Sequence, residues 1–450
     1  MRSRFVLALV ALAALASVAG PAGAQDGKPD PAALAPAELK RVEGWIRELD
    51  HGEYARREAA TAALRSFGPR ALPLLREAAK SSSEEVRARA RLLVLVLEAG
   101  LGGDEGPGGG WTTLKGDMGR TGARGAGPAL GPAVKASRSV GGGRGDLGLG
   151  PDAPLACAEG AIVAGHGDLV TALGAEDLGH RWSAGLGGSV LASPVIARGR
   201  VFVGTTRGLT AFRLEDGREV WTVTAAYGVG AAPLVSGATL YACLGDEAVV
   251  ALDPATGARR WEHRCAAGRA APVLAGGRIV LGLRTAELLA LDAATGKPAW
   301  RLPVDGAVTF APAAVGPSVI VGDGGRRLRC VDAESGRVLW TRSVKGRFLG
   351  DGPAVSPRAI VFSMDNLELE AYDPATGRRL WNRWIGTYHL SSPALAGGVV
   401  LVGSRTRLAA FDAASGDDAW EAELGAEVAC PLVADGTVYA LAGSRLVALR

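Results

Sequence analysis

The chain has 450 residues, 65 of them glycine and 24 proline, with 48% hydrophobic and only 5% aromatic side chains. Glycine is well above its usual share, yet there is no Gly-X-Y period and no dominant Gly/Pro run, which excludes a collagen-like rod and wholesale disorder and points to a turn-rich β protein. Fifty basic residues against 46 acidic ones leave a net charge of +4, too little for a whole-molecule attraction to nucleic acid.

At the start, Arg2 and Arg4 precede an apolar run from Phe5 to Ala16, and Ala22-Gly23-Ala24 supplies small residues at a cleavage site. Residues 1–24 therefore read as a secretory signal peptide. No later apolar run is long enough to span a bilayer. The first cysteine is Cys157, so no cysteine stands at the cleavage point to carry a lipid. The expected mature protein is exported, periplasmic or secreted, soluble and not a lipoprotein.

Residues 32–99 read as paired helices. Pro36 suits a first helical turn, and Leu39, Val42, Trp45, Ile46 and Leu49 form one apolar stripe. A second helix over about residues 53–67 ends at Gly68, with Pro69 restarting the chain. Ser82-Ser83-Glu84-Glu85 has the form of a capping box before Val86, Ala90, Leu93, Val94 and Leu97. Arg56, Arg57, Arg87, Arg89 and Arg91 read either as a solvated helix surface or as a basic contact face. Residues 100–110 are glycine-rich and read as a linker.

Beyond the linker the sequence repeats. Trp182, Trp221, Trp261, Trp300, Trp340, Trp381 and Trp420 are spaced 39, 40, 39, 40, 41 and 39 residues apart. Pro154, Pro194, Pro233, Pro272, Pro312, Pro353, Pro393 and Pro431 keep the same beat, each opening an apolar segment. Each unit then offers a Gly-led apolar run, a short strand into a turn such as Asp253-Pro254-Ala255-Thr256-Gly257, and the tryptophan four residues after that glycine. In the turn, Asp bonds nearby amides and Gly supplies positive φ. Asp292, Asp332, Asp373 and Asp412 hold the same place, so these recurrent carboxylates read as turn residues rather than catalytic ones. The tryptophan falls in the last strand, where it can pack against a neighbouring blade. Four short strands in each unit of roughly 40 residues make one propeller blade.

Eight prolines against seven motif tryptophans leave the last unit one strand short. Val134 to Val140 aligns with Val338 to Val344, with Ala136 at the tryptophan place, and supplies that strand. The predicted fold is all-β: an eight-bladed propeller of four-stranded blades over residues 111–450, closed by an N-terminal strand and preceded by a small α-helical region. Closure makes the first and last blades neighbours, which favours Cys157 with Cys430 over Cys243 with Cys265 as a disulfide. The five cysteines contain no CxxC.

Other chemistry is thin. His51, His166, His180, His263 and His389 occupy no repeated position, no G-x-S-x-G elbow is present, and Gly141 to Gly145 precedes no helix. Cations gather instead in the hairpins between the second and third strands, as Arg207, Arg284, Arg326, Arg327, Arg405, Arg407 and Arg445. The segments entering each new blade, on the same face, bring Tyr227, Phe310, Phe348, Tyr388 and His389. Arginine with aromatics is the composition of protein-binding hot spots. This face is the candidate partner-binding surface, against the alternative of an ordinary solubilising one.

Two resemblances add to this reading. Tyr54 to Leu93 resembles the short HEAT-like modules of exported bacterial proteins. The unit seen in Ala371 to Trp381 (AYDPATGRRLW) and Ala410 to Trp420 (AFDAASGDDAW) resembles the repeat of quinoprotein-type, PQQ-like propellers, and Trp111 to Gly122 resembles the segment that leads into them. That family includes quinone-dependent alcohol dehydrogenases, which use pyrroloquinoline quinone (PQQ) and a calcium or lanthanide ion, and non-catalytic BamB-type outer-membrane assembly propellers. This chain lacks the adjacent cysteine pair many of the dehydrogenases carry, and its even spacing leaves no insertion to cover a cofactor. Asp365-Asn366 could offer oxygen ligands, but a calcium site needs about six to eight. The expectation is a monomeric, non-catalytic scaffold that binds envelope proteins, with no catalytic, cofactor or metal residues and no nucleic acid. A PQQ-dependent dehydrogenase and a carbohydrate-binding propeller are the alternatives.

Overall fold

The computed structural model describes residues 36–449 apart from 52–53, 84–85, 88, 91–92, 95–133, 140–154, 268–269, 309, 387–390, 397, 429–430, 435–436 and 444. The signal peptide, the linker, the lead-in segment at 111–122, Arg91, Tyr388, His389 and Cys430 lie outside the described residues. The chain divides into two compact units, residues 1–41 and 42–450.

The helices form where the apolar stripes place them: α1 (Pro36–Glu48), α2 (Tyr54–Phe67) and α3 (Leu72–Ala78), the last entered through a 3₁₀ turn at Pro69–Ala71. Gly68 takes the left-handed conformation at φ +81° between α2 and that turn. Ser83 caps the next helical stretch, its Oγ accepting from the Val86 amide at 3.3 Å. Val42, Leu49, Leu64, Leu75, Ala90 and Leu93 are buried. No helix among the described residues is long and apolar enough to cross a membrane.

Among the described residues, thirty-two strands follow in eight antiparallel four-stranded sheets. Seven blades are sequential meanders, from β2–β5 (Leu155–Gly185) in blade one to β26–β29 (Ala394–Glu423) in blade seven. Blade eight takes β30 (Leu432–Ala434), β31 (Thr437–Ala442) and β32 (Arg445–Leu449) from one end of the repeat region and its outer strand, β1 (Val134–Ser139), from the other. Val134 pairs with Leu449 and Ser139 with Arg445. The inner strands of neighbouring blades touch around the ring, and β2 meets β30 to complete it. Second and third strands are buried almost throughout, as in β11 (Thr239–Leu244) and β12 (Ala248–Leu252), because a neighbouring blade covers each face.

One contact joins each blade to the next. The glycine amide of the turn bonds back to the carbonyl at the Asp place, as Gly296 does to Asp292 at 2.8 Å with φ +69°. A Cβ on Gly296 would stand 2.5 Å from the Trp261 ring, so the indole of one blade lies directly on the turn of the next. The same indole donates its N–H to the carbonyl after the Asp place: Trp261 to Ala293 at 3.0 Å, Trp300 to Ala333 at 2.8 Å, Trp381 to Ala413 at 3.0 Å. Trp182, Trp221 and Trp340 do likewise to Leu214, Pro254 and Pro374.

The seam departs from this pattern. Ala136 holds the tryptophan place on β1, and the facing turn of blade one has Leu178 where the others have glycine. Leu178 keeps the left-handed conformation at φ +54° and is buried in one apolar cluster with Leu446 and Leu449. The carbonyl that an indole would satisfy, that of Ala175, accepts from the Tyr439 hydroxyl at 2.8 Å. Trp420, which faces blade eight, has a buried indole N–H with no hydrogen-bond partner. Trp300→Phe should therefore lose about 0.5–1.5 kcal/mol more than Trp420→Phe, since only the first breaks a hydrogen bond; paired urea titrations measure the difference. Trp300→Ala should cost about 3–5 kcal/mol in the same titration.

Candidate functional site: the arginine-bearing face

In an antiparallel meander, alternate turns lie at opposite ends of the strands. The hairpins between second and third strands thus share one face with the connections between blades, and the Asp-Gly turns lie on the other. All seven arginines singled out in the sequence fall on the first face, and all that are described there are exposed.

The structure divides them. Arg284 pairs with Asp246 at 2.5 Å, Arg327 with Asp305 at 2.8 Å, and Arg407 with Glu423 at 3.0 Å and Glu421 at 3.4 Å. The Glu423 carboxyl is held below its ordinary range, chiefly by the Thr406 hydroxyl and then by Arg407. These three cations are locally neutralised. Arg326 donates to the Lys345 carbonyl at 3.2 Å and Arg445 to that of Leu424 at 3.0 Å. Among the described residues, Arg207, Arg326, Arg405 and Arg445 have no acidic partner within ion-pair distance. Lys345 and Arg347, exposed in the connection to blade six, extend the cationic surface beside Arg326. They were missed because they occupy no repeated hairpin position.

The aromatics divide as well. Tyr227 is 71% exposed where blade two leads into blade three. Phe348 is half-buried and packs on Phe310 and Phe362 at ring separations of 5.2 and 4.8 Å, so it serves the core of blades five and six. Trp384, at the end of β25 (Arg379–Trp384), is 68% exposed on the same side and has no counterpart in the other repeats to signal it.

Groups with catalytic potential are otherwise engaged. Arg260 and the Ala255 amide hold the Asp253 carboxyl below its ordinary range, and the Thr295 hydroxyl and amide do the same for Asp292. Both remain ionised acceptors within their turns. Burial lowers the pKa of His166 against the opposing pull of Asp168, and its Nε2 meets Thr171 Oγ1 at 3.2 Å. Cys265 and Cys330 are free thiols, and burial pushes Cys265 up to about 11. No group of three or more His, Cys, Asp or Glu among the described residues is arranged to hold a metal ion. Asp365 accepts the Arg347 amide at 2.7 Å, and Asn366 donates to Glu368 at 2.8 Å.

On the opposite face two of the helical arginines find internal roles, while Arg56 pairs with Glu48 at the surface. Arg57 is buried and donates to the His51 carbonyl at 2.7 Å. Arg89, also buried, reaches Thr61 Oγ1 at 3.2 Å and the Asp373 carboxylate at 2.8 Å. Asp373 is the turn aspartate of blade six, only 3% exposed, and still accepts the amides of Ala375 and Thr376. Asp373→Ala should cost about 3–5 kcal/mol, because it strands a buried guanidinium. Asp332→Ala, in the unburdened turn of blade five, should cost about 1 kcal/mol. Urea midpoints of the two variants check the contrast.

Comparison with known proteins agrees with this architecture. A family model described as outer membrane protein assembly factor BamB matches residues 135–271, 264–347 and 365–450. The crystal structure of BamB from Moraxella catarrhalis is similar at 19% identity and TM-score 0.59, over 71% of this chain and 99% of that one. Quinohemoprotein alcohol dehydrogenase from Comamonas testosteroni is similar at 14% identity and TM-score 0.61, over 76% and 80% of the two chains. A europium-containing methanol dehydrogenase gives 14% identity and TM-score 0.60, over 75% and 90%. At these identities the likeness is one of fold. No curated relative matches the chain.

Proposed function

The chain belongs to the family of the outer membrane protein assembly factor BamB, and from that premise we propose that it is a non-catalytic scaffold of the bacterial cell envelope, binding a protein partner through the arginine-bearing face. The observation that carries the reading is the set Arg207, Arg326, Arg405 and Arg445, exposed on one face without acidic partners among the described residues, with Lys345 and Arg347 beside them. A partner with acidic or extended segments fits it, and Tyr227 and Trp384 supply the exposed aromatics that anchor protein interfaces. The signal-like start is in keeping with an exported site of action.

The quinone reading has the fold in its favour, since two of the similar structures are dehydrogenases by title. The donor set speaks against it. Asp365 already accepts the Arg347 amide, and although Glu368 lies beside Asn366, no group of three or more His, Cys, Asp or Glu among the described residues is arranged to hold a metal ion.

Two experiments separate the readings. Replacing Arg207, Arg326 and Arg405 together by glutamate should abolish salt-sensitive capture of a specific protein from an envelope extract; undiminished capture would remove the arginine face from consideration. Calorimetric titration with pyrroloquinoline quinone, with and without calcium, should show no saturable heat. Tight binding accompanied by dye-linked alcohol oxidation would replace the scaffold reading with the dehydrogenase.

A further inference from the structure

The last residue of each outer strand lies at the arginine-bearing face, opposite the first residue of the third strand. In the other blades that place is taken by glycine, serine, threonine, proline or a charged residue, and in blade six by Trp384. Trp384 is 68% exposed, and no other aromatic side chain on a strand is exposed among the described residues. The indole is nevertheless held in place. Gly386 takes φ +70°, and a Cβ there would stand 2.8 Å from the outer carbons of the Trp384 ring, so the ring folds back against the chain and turns the rest of its surface to water.

Polar groups stand beside it. Trp384 pairs in register with Glu368 on β24 (Glu368–Tyr372), whose carboxylate accepts from the side-chain amides of Asn366 at 2.8 Å and Asn382 at 3.4 Å. Both asparagines are exposed, and each amide has a carbonyl oxygen and a second N–H to offer. Cations come next. Asn366 lies against Gly346, where a Cβ would stand 3.1 Å from its Oδ1, and Gly346 is flanked by the exposed Lys345 and Arg347. Arg326 reaches the Lys345 carbonyl at 3.2 Å. Asp365 accepts the Arg347 amide at 2.7 Å, but no acid among the described residues is within ion-pair distance of these three cations.

We propose that this corner of blades five and six binds an acidic glycan chain. An aromatic that anchors a protein interface is ringed by contacts that exclude water. The neighbours of Trp384 are exposed polar side chains, which suits a ligand that has an apolar face and a polar rim. A hexopyranose ring has both: the C–H groups of one face stack on the indole, and its hydroxyls exchange hydrogen bonds with Asn366, Asn382 and Glu368. Carboxylates on the chain then answer the uncompensated charge of Lys345, Arg347 and Arg326. The site does not rest on the protein-partner reading, and it leaves Arg207, Arg405 and Arg445 to that role.

The probe is an end-labelled hexamer of galacturonic acid, compared with a neutral glucose hexamer and with hexaglutamate. Fluorescence anisotropy on the full-length protein should show saturable binding of the acidic sugar, at least tenfold weaker for each of the other two. Trp384→Ala, and separately Lys345→Glu with Arg347→Glu, should each weaken it at least tenfold while leaving the thermal midpoint in place. Hexaglutamate bound as tightly as the acidic sugar assigns the corner to an acidic peptide and overturns the proposal. Equal binding of the neutral sugar, no binding of any probe to the unmodified protein, or undiminished binding to Trp384→Ala overturns it as well. Absence of sugar binding alongside intact capture of an envelope protein removes the glycan site alone and leaves the protein-partner reading standing.

Discussion

The ring depends on an indole laid over a turn. A propeller blade is a small twisted sheet with little reason to adopt one angle to its neighbour, because apolar faces slide. The tryptophan removes that freedom by bringing a broad apolar surface and a directional N–H to one point. The turn is shaped to receive both, since its glycine leaves no Cβ beneath the ring and its carbonyl after the Asp place points at the nitrogen. The aspartate fixes the turn itself, as Asp292 does through the Thr295 amide and hydroxyl. Tryptophan and glycine therefore recur together at the joint, and aspartate braces most of the turns, although the joint between blades one and two forms with Arg213 in the Asp place.

This interdependence is why the architecture was legible in the sequence. Period, blade count and closing strand all follow from residues that must repeat for the joint to repeat. What was not legible follows from the same reasoning, because a contact made once leaves no period. Nothing in the sequence marks Leu178 as the filler of a space that an indole occupies elsewhere, whereas Tyr439 holds the repeat place of Tyr241, which donates in the same way to Ala293. Arg89 and Asp373 are 284 residues apart and belong to unlike structures. Asp373 looks identical to its four sister aspartates until a helix is found against it. On the candidate face, the hairpin arginines could be counted, but only the fold shows that Asp246, Asp305 and Glu423 neutralise three of them.

The division of labour between the two faces follows from what each is made of. The turn face is spent on structure: its aspartates, glycines and carbonyls are committed to joining blades, and at blade six to holding a helix. The hairpin face carries no such duty, so its residues vary from blade to blade and are open to being selected for recognition. The proposed scaffold function would suit a molecule whose repeated motif residues are committed to geometry and whose individuality lies in exposed arginines and two unrepeated aromatics.

The closing strand has a consequence for how the ring can be made. β1 emerges early in synthesis, and its partner β32 is about three hundred residues away along the chain. Until blade eight exists, β1 has nothing to pair with, so seven blades can stack while the ring stays open. In that interval the molecule carries both halves of a complementary seam. Two half-made copies in proximity can satisfy each other as well as themselves, each lending its β1 to the other's β32. The strand that covers β32 in the finished ring is thus also the piece by which unfinished rings can become entangled, and its faithful use depends on each chain completing its own circle first.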